Sequence, residues 1–308
     1  MRSTHELQAM TSKTIGILGP GDMGHAVGRA LRDRSYRPLT CLAGRSSRTR
    51  KLAAAAGFDD SASLAALVDA ADLVLAILPP AAAEGLAGDV ATAMAVANAF
   101  PPYVDCNAVS PATVRAIGDV INAVGAPFID AGIIGLAPGK DTPRFYVSGP
   151  DTDPMEALDG CGFTVRPIGA EIGRASGLKM CYAGLTKGTW TLQTSVLMAA
   201  EALGLSAELK EEFAFSQQAQ LAIMEARVPW LPADSERWIG EMEEIAATFR
   251  DAHVTPAFHD GAAEVFRLLA RTPFAQETRE TMDSNRTLEE AVRVYVEQLG
   301  RKEDGKPR

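Results

Sequence analysis

Three places in the 308-residue chain carry residue types at spacings that could do chemistry. The first is Gly19-Pro20-Gly21-Asp22-Met23-Gly24, a G-x-G-x-x-G directly after the apolar run Thr14–Leu18. Between a strand and a helix, the first glycine permits a tight turn and the second lets backbone approach a pyrophosphate. The third lets helix and strand pack closely. A helix over residues 25–33 then aims its free N–H groups and positive dipole end at the phosphates. With 27 glycines in the chain the pattern alone is weak, and its strand-before, helix-after setting is what predicts dinucleotide binding. The second place is Ala43-Gly44-Arg45-Ser46-Ser47-Arg48, where the next strand ends. An NAD site places an acid there, ~20 residues on, to bond the ribose 2′-hydroxyl. Here no acid stands, and an arginine can hold a 2′-phosphate through charge-assisted bonds worth ~1.5–3 kcal/mol each. NADP is therefore expected, with Arg45 as main contact, Ser46 beside it and Arg48 as a further one.

The third place is Lys179, near the start of a largely apolar helix and among small residues in Gly173-Arg174-Ala175-Ser176-Gly177-Leu178-Lys179. Desolvation disfavours an ammonium and moves a lysine towards a useful acid–base range, and small neighbours let substrate and nicotinamide approach. A lysine that merely reaches back to solvent fits the spacing equally well. Lys187, eight residues on, is a weaker candidate. The histidines offer less. His5 lies in the N-terminal tail and His25 in the first helix, while the spacing of His253 and His259 fits no helical face, so no metal site is expected. No G-x-S-x-G nucleophile elbow occurs.

The elements that must position these residues follow from pattern. Strands are expected at Thr14–Leu18 and at residues 39–43, 73–78, 103–106, 128–130, 145–148 and 163–166. Helical stretches at 63–70 and 81–98 alternate with them, and Ser110-Pro111 offers a serine cap with proline at the first helical position. Such alternation predicts an α/β, Rossmann-type, mostly parallel sheet. Beyond Gly169 the pattern changes. A run at 174–204 with no proline and few breakers predicts one helix of about 30 residues and about 45 Å. Only helical segments follow, at 207–227, 235–252, 262–270 and 288–299, the last opened by the capping box at Thr287. The expected organisation is a dinucleotide-binding domain at 1–170, a long interdomain helix at 171–204 and an all-helical C-terminal domain at 205–308.

Composition narrows the function classes. A net charge of −9 gives no reason to expect nucleic acid as a partner. The four cysteines show no paired spacing, which reads as reduced thiols in a cytoplasm. No stretch offers the ~20 uninterrupted apolar residues a membrane span needs, and the polar N-terminal residues lack a signal-peptide core.

The motifs together resemble the β-hydroxyacid dehydrogenases, related to 6-phosphogluconate dehydrogenase. The likeness covers the glycine loop with Met23 before its last glycine, Leu78-Pro79-Pro80, Asp105-Cys106-Asn107 leading to Ser110-Pro111, Asp130-Ala131-Gly132, and the approach from Gly173 to Lys179. It implies an NADP-binding Rossmann domain, a helical C-terminal domain, an active site in the cleft between them, and a homodimer through the helical domains. It implies cofactor contacts from Gly19, Gly21, Asp22, Met23, Gly24, Leu78, Pro79 and Asn107, and Lys179 as acid–base in hydride transfer to or from a 3-hydroxy acid or related alcohol. The segment from Arg237 through Trp238 to Ile245 resembles a less-characterised branch. Two departures point to an altered substrate. Where relatives carry K-x-x-N-N, this chain has Tyr182 and Ala183, and where they carry Ser-Gly-Gly it reads Ile134-Gly135-Leu136. Asn107, Ile134, Gly135, Tyr182 and Trp238 are the expected substrate contacts, for a substrate bulkier or more apolar than a small hydroxy acid. Alternatives are an imine or iminium reductase, an oxidative decarboxylase of a sugar acid, and a non-catalytic NADP-responsive binding protein.

Overall fold

The computed structural model describes residues 12–278 and 281–300. His5 and the charged tail 301–308 lie outside them. The chain divides into two compact units, Met1–Lys179 and Met180–Arg308, and the division falls inside the long helix.

In the first unit the order is β1 (Thr14–Leu18), α1 (Gly24–Arg32), β2 (Arg37–Thr40), α2 (Ser47–Ala56), β3 (Asp59–Asp60), α3 (Leu64–Ala70), β4 (Leu73–Ala76) and α4 (Ala83–Ala97). There follow β5 (Tyr103–Asp105), α5 (Pro111–Ala123), β6 (Phe128–Ile134), β7 (Arg144–Ser148), α6 (Asp153–Glu156), β8 (Thr164–Pro167) and the start of α7 (Arg174–Ala202). The strands form one eight-stranded sheet in the order β3-β2-β1-β4-β5-β6-β7-β8. All neighbours are parallel except β6 and β7. Both faces are covered, so β1 and β6 are buried along their whole length rather than alternating, with Asp130 the one carboxyl within β6. On one face Leu67, Val90, Met94, Val114, Ile117 and Ile121 of α3, α4 and α5 pack on the sheet. On the other, Val27 and Leu31 of α1 and Met155 of α6 do so. β1 and β4 are neighbours whose following connections run to opposite faces. This reversal makes the crevice beyond their carboxyl ends the place for a ligand.

The second unit is helical throughout its described residues: the rest of α7, then α8 (Ser206–Ser216), α9 (Gln218–Arg227), α10 (Pro232–Asp251), α11 (Ala257–Ala270) and α12 (Leu288–Val296), with short 3-10 turns between. α10 and α11 form its centre, with Met242, Ile245, Phe266 and Leu269 fully buried. Thr287 and Glu290 close the capping box of α12. The helix expected over 207–227 is broken at Gln217, whose φ of −139° and ψ of 46° lie outside the helical region. No helix among the described residues is long and apolar enough to cross a membrane.

Candidate dinucleotide site and lysine

β1 delivers the glycine loop to the carboxyl edge of the sheet, and the three glycines do three different things. Gly19 adopts φ +89°, and a Cβ there would stand 2.5 Å from the Ile77 carbonyl oxygen. A Cβ on Gly24 would meet the Gly19 carbonyl oxygen at 2.3 Å, so helix and turn touch only because both residues lack one. Gly21 faces open space instead. Helix α1 behind it has no side-chain cap and no acid in its first turn, which suits its N-terminus to an anion, although the His25 backbone N–H already donates to the Gly21 carbonyl at 2.9 Å. His25 lies against the same turn, its Nδ1 2.7 Å from the Gly21 carbonyl oxygen. An open backbone cradle at an uncapped helix start fits a pyrophosphate.

The loop after β2 is also built around a helix start. Ser46 caps α2, its Oγ accepting the Thr49 N–H at 3.2 Å. Arg48 reaches back to the glycine loop and pairs with Asp22 at 2.7 Å. Arg45 is half-buried at the turn. Its carbonyl accepts from Arg50 Nε at 3.2 Å, and Arg50 Nη2 donates to the Leu42 carbonyl at 2.5 Å. Arg50 is a residue the motif reading passed over. It lies a turn inside α2, and only the fold shows that it secures the loop.

At the next strand ends the structure tightens into a polar knot. Asn107, nearly fully buried, accepts the Leu78 N–H on its amide oxygen at 2.6 Å. Its amide nitrogen donates to Asp105 Oδ2 at 2.8 Å and its backbone N–H to Asp105 Oδ1 at 3.0 Å. The side chain expected to touch substrate or nicotinamide is thus already engaged in joining β5 to the turn after β4. Asp105 is fully buried and in register with Asp130 of β6. Burial first, and the neighbouring Asp130 charge with it, push its carboxyl up to about 7 against the lowering effect of the Asn107 hydrogen bonds.

Asp130 has a different task. Its oxygens accept from the N–H groups of Gly173, Ala175 and Ser176 and from the hydroxyls of Ser148 and Ser176, at 2.7–3.2 Å. It caps the start of α7 from a neighbouring strand, satisfying donors a helix end otherwise leaves orphaned. Burial raises its carboxyl above the ordinary range even so. One turn along, Lys179 is half-buried and Nζ donates to the Ile133 carbonyl at 2.7 Å. The helix comes this close because Gly132 has no side chain. A Cβ there would lie 2.6 Å from the Ala175 carbonyl oxygen and 2.9 Å from Lys179 Cβ. Strand β6 therefore caps, seats and anchors the lysine helix with three successive features. Beyond it Ile134 is buried, Gly135 turns at φ +122° and Leu136 is exposed.

The remaining candidates belong to the second unit. Tyr182 is half-exposed on α7. Trp238 lies against Trp190 and Phe266, with ring centroids 5.5 and 5.3 Å apart, and Lys187 Nζ sits 5.6 Å from its centroid. Lys187 is buried and ion-paired to buried Glu241 at 2.6 Å, a structural pairing in that helical core. His253 is exposed and His259 buried against Phe249. No group of three potential metal ligands occurs among the described residues.

Known proteins place this architecture. The family model for the NAD binding domain of 6-phosphogluconate dehydrogenase matches residues 14–158, and a domain of unknown function, DUF1932, matches residues 200–269. An uncharacterized 28.5 kDa protein in the 7S RNA 5′ region of Methanothermus fervidus is 30% identical over 202 residues, covering 64% of this chain and 74% of that protein. The solved structure of the conserved protein MTH1747, of unknown function and described as structurally similar to 3-hydroxyacid dehydrogenases, is 26% identical. It has a TM-score of 0.61 and covers 83% of this chain and 96% of its own. A 3-hydroxyisobutyrate dehydrogenase of Mycobacterium tuberculosis, solved with L-serine, shares the fold at 19% identity. Its TM-score is 0.65, covering 92% of this chain and 98% of that one. Imine reductases share the fold as well, at 20% identity and below. A nicotinamide-dinucleotide domain followed by a DUF1932 segment, on this fold, makes the chain a member of the β-hydroxyacid dehydrogenase-like superfamily with a distinct C-terminal domain.

Proposed function

We propose that the protein is an NADP-dependent oxidoreductase that transfers a hydride between nicotinamide and a 3-hydroxy acid or related alcohol or carbonyl, with Lys179 as acid–base. The observation that carries this reading is the seating of Lys179, held on the Ile133 carbonyl at the carboxyl edge of the sheet by a helix that Asp130 caps. When bound, the nicotinamide supplies or accepts the hydride. The chain's own contribution is the proton. In oxidation neutral Lys179 Nζ takes it from the substrate hydroxyl, and in reduction the ammonium returns it to the carbonyl oxygen. The Ile133 carbonyl fixes the nitrogen in one direction, which favours a single approach of the reacting group. Ile134 and Gly135 are proposed to contact the substrate, with Gly19, Gly21, Asp22, Met23, Gly24, Leu78 and Pro79 around the dinucleotide.

NADP is favoured over NAD because the β2 end carries Arg45 where an acid would repel a 2′-phosphate, and because the start of α2 adds its dipole there. Arg48, tied to Asp22, joins the two phosphate-facing loops rather than standing apart from them. A homodimer through the helical unit is favoured by one face of α7. Tyr182, Leu185, Thr189, Leu192, Val196 and Ala199 recur at alternating steps of three and four, the spacing of a helix–helix seam. Leu185 and Leu192 on it are 74 and 64% exposed. A cytoplasmic location accords with four unpaired thiols, three of them buried.

The reading is tested by following absorbance at 340 nm with NADP⁺, then NAD⁺, and aliphatic and aryl 3-hydroxy acids near pH 9. Turnover that a Lys179→Met variant loses by at least ~10²-fold, with NADPH affinity kept, supports it. Near-normal turnover in the variant refutes the lysine role. Reduction of imines and none of hydroxy-acid oxidation would move the protein to the imine reductase reading.

A further inference from the structure

The buried knot at the ends of β4 and β5 has a property the proposed mechanism does not use. Asn107 can satisfy its neighbours in one orientation only, because the amide oxygen must face the Leu78 N–H and the amide nitrogen Asp105. Both Asp105 oxygens in turn face a donor of Asn107. That arrangement requires an acceptor at each carboxyl oxygen. A proton on either makes that oxygen a hydroxyl, a weaker acceptor that brings a further donor among contacts that are all donors, and turning the amide to meet it sets the NH₂ group against the Leu78 N–H. The Leu78 turn is in direct touch with the dinucleotide loop: a Cβ on Gly19 would lie 2.5 Å from the Ile77 carbonyl oxygen and 3.0 Å from Leu78 Cγ. The Ile77 N–H also bonds the Leu18 carbonyl at 2.9 Å.

We propose that Asp105 is a positioning residue of the dinucleotide site, its ionised carboxylate orienting Asn107 and, through it, seating the Leu78 turn against the first glycine of the phosphate loop. This rests on the dinucleotide-binding reading, though not on the choice of NADP or on Lys179. Asp105 reaches the ligand only through other residues, so its signature is a pH dependence of binding. The charged group facing it is Asp130 on β6, itself engaged by the start of α7. On β5 and beside it stand the Tyr103 phenol and the Cys106 thiol, both raised far out of the neutral range, chiefly by burial. β4 carries no titratable side chain, and those of α4 and α5, Glu84, Asp89, Arg115 and Asp119, are exposed. A carboxyl titrating at about 7 in this setting places the transition near neutrality.

The test measures NADPH affinity by fluorescence from pH 6 to pH 8 in wild type and in Asp105→Asn, taking the ratio of the two so that titration of the 2′-phosphate cancels. If the ionised form seats the turn, the wild type binds more tightly than the variant at pH 8, and the ratio narrows by up to about tenfold from pH 8 to pH 6, following the ionised fraction of a carboxyl titrating at about 7. A second readout needs no variant. The Leu78 amide resonance of the ligand-free, ¹⁵N-labelled protein moves with a midpoint near pH 7 as its hydrogen bond to Asn107 is lost. Binding with a pH-independent ratio, together with a Leu78 resonance that does not titrate, overturns the proposal. If Asp105→Asn does not fold, the Leu78 titration decides alone. Absence of NADPH and NADH binding at every pH overturns the dinucleotide reading instead, a result distinct from the other.

Discussion

Replacing Gly132 by alanine isolates what the close approach of α7 to β6 does. The residue is in a strand with ordinary backbone angles, so the added methyl acts through space alone. It would stand 2.6 Å from the Ala175 carbonyl oxygen and 2.9 Å from Lys179 Cβ, distances that real Cβ atoms do not keep. Relief to an ordinary contact of roughly 3.4 Å moves the helix by about 0.8 Å. Added to the 2.7 Å between Lys179 Nζ and the Ile133 carbonyl, that displacement carries the pair to about 3.5 Å, the outer limit of a hydrogen bond. Misplacing a reacting group by about 1 Å costs up to about 10²-fold in rate, while overpacking costs about 1–3 kcal/mol of stability. Gly132→Ala should therefore fold, bind NADPH as wild type does, and turn over about 10²-fold more slowly on the best substrate found. Steady-state rates at 340 nm and fluorescence titration of NADPH measure the two quantities. Gly85→Ala, whose Cβ would meet nothing within 4 Å, is the control and should be silent. A Gly132→Ala enzyme with wild-type kcat would refute the argument that this glycine sets the lysine.

Other expectations follow from the same geometry. Arg45→Ala should lower the preference for NADP over NAD at least about tenfold, the value of one charge-assisted contact, as read from the ratio of kcat/KM values. Lys187→Met should destabilise the protein in urea unfolding by removing the nearer of the two cations beside buried Glu241, with Arg237 remaining at 4.0 Å, and Lys187→Met combined with Glu241→Leu should recover much of that loss. Leu185→Glu with Leu192→Glu should leave the chain folded by circular dichroism but monomeric by sedimentation; a dimer that survives both would remove α7 from the interface.

How much of this was legible before the fold was known depends on how local each cause is. Thr14–Leu18 and the capping box at Thr287 are short-range patterns, and both stand where the residues place them. The long helix was legible from the absence of proline and the few breakers between 174 and 202. Strand β3 was not, since it is two exposed aspartates that pair with β2 and carry no apolar signal. Nor was the break at Gln217, where neither proline nor glycine marks the chain. The site shows the same division. Glycine spacing and the missing acid after β2 could be read directly, and Lys179 stood out by its neighbours. Asp130 gave no such sign, because the N–H groups it caps lie 43–46 residues further along the chain. Asn107 drew attention only through the family resemblance, in the segment Asp105-Cys106-Asn107. Its real partners, Leu78 from another strand's turn and Asp105 beneath it, show that its amide is engaged within the protein.

The paired carboxylates of β5 and β6 also set how robust the fold is in different media. Asp105 titrates near 3.8 when exposed to water and at about 7 in the folded chain. Between those values the folded form holds a proton that the unfolded form has released, so each pH unit of rise removes about 1.4 kcal/mol of this group's contribution. This group's contribution is therefore fullest below about 3.8 and is lost as the pH rises through about 7, the reverse of the Asn107 knot, which closes as the carboxyl ionises. A ligand bound at the glycine loop adds to the stability of the folded form by mass action, at whichever pH it binds.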